Sequence, residues 1–198
     1  MGYSWTNISA APTDDANGYL LSVDMKVGAY ALDATVPTFG ARHVTCTRTV
    51  VDAADTPGTI VIVGKDLSGQ TITETLTPGA TGVLVTGTKF FASLTSATGA
   101  GWVIAGGADT IVIGWDEFNA VATGSGTFHG IVVNATAAGA IVVADSGGTI
   151  ATLIANIAEG FYGPFDVAFS GYLRVEPAAA SDITVIHSGS MPASYAMS

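Results

Sequence analysis

A chain of 198 residues is long enough for one large or two small domains with cores of their own. Apolar residues make up 48% of it and charged residues only 11%, but the apolar residues come in short runs cut by Gly, Thr, Asp and Pro. The longest run, residues 137–144, is far short of the roughly 18 residues a helix needs to cross a bilayer, so no transmembrane segment is expected. Sixteen Asp and Glu against six scattered Lys and Arg give a formal net charge of −10. That balance argues against nucleic acid and anionic lipid as partners, because binding to either begins with cations neutralising phosphate.

The first residues, Met1 to Thr6, have neither a basic nor an apolar leader run, so no secretory signal is expected. Residues 1–18 carry Tyr3, Trp5, Pro12, the Asp14-Asp15 pair and Asn17-Gly18 without a strand or helix period, and read as an N-terminal arm. Strands are expected at 19–23 and 28–32 around a turn. Residues 43–51 alternate, with Val44, Cys46, Arg48 and Val50 on one face and His43, Thr45, Thr47, Thr49 and Val51 on the other. An Arg on that apolar face calls for partial exposure or an acidic partner. Cys46, the single cysteine, excludes an intrachain disulfide and reads as a small buried hydrophobe.

Residues 59–96 read as an antiparallel meander. A β-branched run at 59–63 is followed by a turn at 64–69 and an alternating run at 71–76. Turns at Pro78-Gly79 and Thr81-Gly82 then lead to runs at 83–86 and 89–94. Glu74 shares a strand face with Ile72 and Leu76. It is therefore expected to be partly exposed and hydrogen-bonded, with Lys65 or Lys89 as candidate partners.

Further strands are expected at 102–105 and 110–115, and the stretch 116–126, poor in large apolar residues, marks the domain boundary. Beyond it lie runs at 128–133, 141–144, 165–169, 172–176 and 182–187, with a hairpin signal at Asp145-Ser146-Gly147-Gly148. Residues 149–158 place Ile150, Leu153, Ile154 and Ile157 at helical spacing, yet are read mainly as strand. The expected fold class is all-β: an antiparallel meander, barrel-like or sandwich domain over 19–120, then a small jelly-roll-like β-sandwich over 121–188. Residues 189–198 form a C-terminal arm. The large side chains of the two arms, Tyr3, Trp5, Met191 and Tyr195, are the candidate contact residues.

Catalytic patterns are missing from the sequence. Gly124-Ser125-Gly126 lacks the G-x-S-x-G frame of a nucleophile elbow and the third glycine of a dinucleotide loop. His43, His129 and His187 fall in three separate expected strands without metal-ligand spacing. The pairs Asp14-Asp15 and Asp116-Glu117 are sequence neighbours, which point to opposite faces of a strand and so make no acid and nucleophile couple. Loop acids such as Asp52, Asp55, Asp109, Asp116 and Asp145 could serve calcium, but no D-x-D-x-D-G loop contains them. The expectation is a non-enzymatic protein without a cofactor or metal.

The segment Gly64-Lys65-Asp66-Leu67-Ser68-Gly69, with Ile72, Glu74 and Leu76 after it, resembles the G-x-D-x-x-G-x-x-x-x-E-x-L pattern of small virion structural proteins of tailed bacteriophages. Gly87-Thr88-Lys89, Phe91, Thr95 and Ser96 are similar to the G-T-K-x-F-x-x-x-T-S run of the same proteins, and Asp109 to Gly114 to the strand that follows it. Gly130 to Val133, Thr149 to Ala151, Pro164-Phe165 and Asp182 to Val185 are similar to a small β-module of phage head and neck proteins. The likeness covers roughly residues 40 to 188. It implies a multi-copy virion component, of capsid decoration or cement type, made in the host cytoplasm and placed on the outer capsid surface. The implied partner is the major capsid protein and the expected stoichiometry a closed homotrimer. Two alternatives stand beside it. One is a tail or neck component; the other is a carbohydrate-binding module on the virion surface, with Phe161 and Tyr162 as its aromatic platform.

Overall fold

The computed structural model describes residues 2–9, 13–37, 40–52, 54–103 and 109–189. Every regular element among them is a β-strand, so the protein is all-β. The chain forms two compact units: Thr13–Phe118 in one, and Met1–Pro12 with Asn119–Ser198 in the other.

The central unit holds β2 (Asp15–Asp24), β3 (Gly28–Tyr30), β4 (Ala41–Thr49), β5 (Thr59–Lys65), β6 (Thr71–Leu76), β7 (Val85–Phe91), β8 (Ser93–Ala100) and the first part of β9 (Thr110–Thr123). One sheet has the order β3-β8-β5-β6, and β4 lies between β9 and β7 in another, with β2 also paired to β9. A single core cluster draws Ile60, Ile62, Leu76, Leu94 and Ala97 from the first sheet and Leu20, Val44, Cys46, Phe91, Ile111 and Ile113 from the second. Period-2 alternation delivers these side chains to one face, as on β5, where Ile60 and Ile62 are buried and Val61 and Val63 only half-buried. Burial pushes the Cys46 thiol up to about 12, which suits a packing role.

The simple meander needs correction. β5 and β6 form the expected hairpin, from Ile60 opposite Leu76 to Lys65 opposite Thr71. Residues 85–91, however, make one strand, β7, and it pairs with β4. Only Ala92 separates β7 from β8, which pairs with β5 in the other sheet. The chain passes this corner closely: a Cβ on Gly64 would lie 2.1 Å from the carbonyl oxygen of Ser93, so only glycine fits there.

Glu74 bridges β6 and β7, which share no backbone ladder. Its carboxylate accepts the Thr88 N–H at 2.6 Å, the Thr88 hydroxyl at 3.0 Å and the Lys89 N–H at 3.3 Å. Lys89 Nζ donates back to the Thr73 carbonyl at 2.7 Å. Glu74 is half-buried and hydrogen-bonded, as its place on an apolar strand face required.

The other unit contains β1 (Ser4–Ile8), the end of β9, β10 (Gly126–Ala135), β11 (Ile141–Asp145), β12 (Gly148–Leu153), β13 (Gly160–Tyr162), β14 (Val167–Phe169), β15 (Tyr172–Pro177) and β16 (Asp182–Gly189). One sheet runs β1-β16-β10-β13 with β14 also on β10, and the other side of the unit runs β12-β11-β15-β9. Residues 149–158 are strand as far as Leu153. Both sheets supply buried apolar residues, among them Phe128, Ile131, Ile183 and Val185 from one and Ile141, Val143, Leu173 and Val175 from the other.

The expected N-terminal arm is also corrected. Ser4–Ile8 pairs antiparallel with β16, Trp5 opposite Ile186 and Ile8 opposite Ile183, and residues 15–24 form β2. The inward side chain at the end of β1 is Ile8, fully buried. Asp182 secures this edge, its Oδ1 accepting Asn7 Nδ2 from β1 at 3.0 Å and Asn134 Nδ2 from β10 at 2.9 Å. These two amides hold the Asp182 carboxyl below the ordinary carboxylate range.

Replacing Glu74 by Ala should lower stability by about 1–2 kcal/mol through loss of its charge-assisted bonds to β7, and Glu74→Gln should cost less. Urea unfolding midpoints of the two variants check this ordering.

Candidate functional site

The site begins with an irregularity in β10. Phe128 pairs with His187 and Gly130 with Ile186, so His129 is an extra residue inserted in the ladder, a β-bulge that re-aims its side chain. The bulged ring meets two partners. His129 Nδ1 lies 2.6 Å from Asp166 Oδ1, and since an ionised carboxylate only accepts, the ring nitrogen donates. His129 Nε2 then accepts the Ser188 hydroxyl at 3.0 Å. The His129 carbonyl is satisfied by the Phe165 N–H at 2.8 Å. Asp166 holds a left-handed backbone with φ of 50°, a conformation that Asp tolerates better than most residues.

Around this pair lies a cleft of about 300 Å³ lined by Tyr3, Trp5, His129, Phe161, Pro164, Asp166 and Ile186. Tyr3 stands edge-on to the His129 ring at a centroid distance of 4.8 Å. Tyr3, Trp5 and Phe161 are 64%, 63% and 54% exposed. Phe161 is seated over two glycines: a Cβ on Gly130 would approach its ring to 2.6 Å, and one on Gly163 to 2.8 Å. The backbone is thus cleared for an aromatic ring that stays open to solvent.

Two of the four expected contact residues, Tyr3 and Trp5, therefore line one cleft, while Met191 and Tyr195 lie outside the described residues. The expected Phe161-Tyr162 platform does not form, because neighbours on β13 alternate sides. Tyr162 is half-buried with its hydroxyl donating to the Ala158 carbonyl, and Phe161 joins Tyr3 and Trp5 instead.

The order of hydrogen bonds from Ser188 through His129 to Asp166 is that of a serine hydrolase triad. Sequence reasoning missed it, since His129 is 37 residues from Asp166 and 59 from Ser188 and no motif links them. Ser188 itself is only 6% exposed and sits in the β10 ladder opposite Thr127.

Other singled-out residues have structural surroundings. His43 pairs with Asp116 at 2.9 Å and packs against Phe90 and Phe118. Arg48 is buried and donates from Nε to the Gly79 carbonyl at 2.6 Å. Nearby Asp109 is buried as well. A hydrogen bond with Asp55, the Val51 N–H and the Arg48 charge hold its carboxyl below the ordinary range. Among the described residues no group of three or more His, Cys, Asp or Glu is arranged to hold a metal ion.

No protein-family model and no curated protein matches the chain. A solved structure described as cAMP-bound PfPKA-R (141-441) aligns over 93% of this chain and 70% of its own length, at 8% identity and a TM-score of 0.16. A superposition that loose carries no argument about fold or activity.

Burial, and then the neighbouring His129, lower the His187 pKa below its ordinary 6.5. The unfolded chain therefore takes up this proton first. The stability that neutral His187 contributes is complete above about pH 6.5 and is lost as the pH falls from there toward the folded value. Unfolding measured across that window should show the slope in the native chain and a flatter profile in His187→Gln.

Proposed function

We propose that the chain is a non-enzymatic structural protein of a virion, a decoration or cement protein that stabilises a capsid through protein–protein contacts. The observation that carries this reading is the exposure of large apolar side chains on a molecule with very few charges. Leu21, Val27, Val51, Val83, Leu84 and Val103 are all about half exposed or more in the central unit. Three of them belong to one end of β4. Val51 follows that strand, and the turn bearing Val83 and Leu84 is tied to it by the bonds from Gly82 N–H to the Arg48 carbonyl and from Val50 N–H to Thr81 Oγ1. Apolar surface gathered in this way suits a face that other subunits cover. The resemblance to phage virion proteins supplies the kind of assembly: the major capsid protein as partner, the outer capsid surface as location and a closed homotrimer as the unit that binds.

Purified protein mixed with undecorated heads should co-sediment with them, and replacing Val83 and Leu84 together by Asp should abolish this without unfolding the chain. Native mass measurement should give a trimer; a six- or twelve-fold ring would favour a neck or tail component instead. Failure to co-sediment would overturn the decoration reading. The Ser188 hydroxyl should also resist a fluorophosphonate probe, and covalent labelling there would overturn the non-enzymatic reading.

A further inference from the structure

We propose that the cleft between Trp5 and Phe161 is a binding site for a neutral saccharide of one or two pyranose rings. A pyranose presents flat apolar C–H faces and a rim of hydroxyls. Its receptor therefore needs exposed aromatic faces held in place, with hydrogen-bonding groups at their edge. The cleft supplies both.

Of the three tryptophans, Trp102 and Trp115 are buried, and Trp5 alone is turned outward. Phe161 is held by the backbone beneath it, where Gly130 and Gly163 leave room for the ring and no side chain could replace them without moving it. Rings positioned before a ligand arrives lose little freedom on binding, which raises affinity. The polar part is equally built. The bulged His129 is fixed from both sides by Asp166 and Ser188, and the exposed Asp166 carboxylate has acceptor capacity beyond the one oxygen that His129 engages.

The same features weigh against other ligands. Among the described residues no Lys or Arg lines the cleft, which leaves phosphate-bearing ligands without a counter-charge. At about 300 Å³ the cleft lies at the small end of the roughly 300–1,000 Å³ range of ligand sites, too short for an amphipathic helix.

The test is a printed array of pyranose oligosaccharides, with glucose-, galactose- and N-acetylglucosamine-terminated members, probed with the labelled full chain. A captured glycan is then titrated in solution against the full chain by isothermal calorimetry. Saturable binding is expected, weakened roughly tenfold or more by Trp5→Ala and by Phe161→Ala and left unchanged by Tyr162→Phe. Circular dichroism confirms that each variant is folded, and Phe161→Ala keeps the test decisive should loss of Trp5 loosen β1. A silent array, or binding that survives both substitutions, would overturn the proposal. This site does not depend on the virion reading, which stands or falls on co-sedimentation with heads.

Discussion

Carboxylate oxygens accepting backbone N–H groups hold the turns and strand edges of this chain in place. Asp33 accepts Leu21 N–H, Asp66 accepts Ser68 and Gln70, Glu74 accepts Thr88 and Lys89, Asp109 accepts Val51, and Asp145 accepts Gly147 and Ser170. A molecule whose described regular elements are all strands has many donors at turns and edges that no ladder reaches, and an ionised acceptor satisfies them better than water does. Carboxylates used in this way contribute to the net charge of −10.

The two sheet edges at β6 and β7 show what the interaction achieves. An open edge invites pairing with another chain, and proteins often blunt it with lysines. Having few lysines, this chain places one carboxylate across the gap and one Lys89 ammonium back across it, so the two edges guard each other. Asp182 does the same at the other unit's edge with side-chain amides, pinning β1 and β10 on either side of β16.

How far the sequence reveals all this depends on distance along the chain. Alternation made β4, β5 and β6 readable, and the two residues that broke it, Arg48 and Glu74, were correctly marked as needing partners. Lys89 was among the partners offered for Glu74, but it bonds through its backbone N–H on β7, and Arg48 reaches the Gly79 carbonyl in a turn; such backbone partners carry no side-chain signature. β1 was hidden for another reason: it is a short strand with three exposed side chains among its first four, and its partner lies about 180 residues away. The cleft was the least legible part. It needs a bulge at His129, two glycines beneath Phe161 and a strand from the far end of the chain, none of which leaves a periodic trace.

Asp166 differs from the other loop acids in accepting from a side chain and not from a backbone N–H, since its carboxylate turns to the ring of the bulged His129. That exception bears on what the Ser188-His129-Asp166 chain is for. Acyl transfer needs a nucleophile that a carbonyl carbon can approach, and donors aimed at the oxyanion that forms. Ser188 is covered and its strand is paired on both flanks, with β1 on one side and β10 on the other. Its hydroxyl serves to hold His129 Nε2, just as Asp166 holds Nδ1, so the three residues form a brace that fixes the ring against Tyr3. A brace of this kind stiffens the floor of a recognition surface at little cost to the fold. It is therefore the burial of Ser188, more than the identity of the three residues, that leads us to propose binding and not turnover at this cleft.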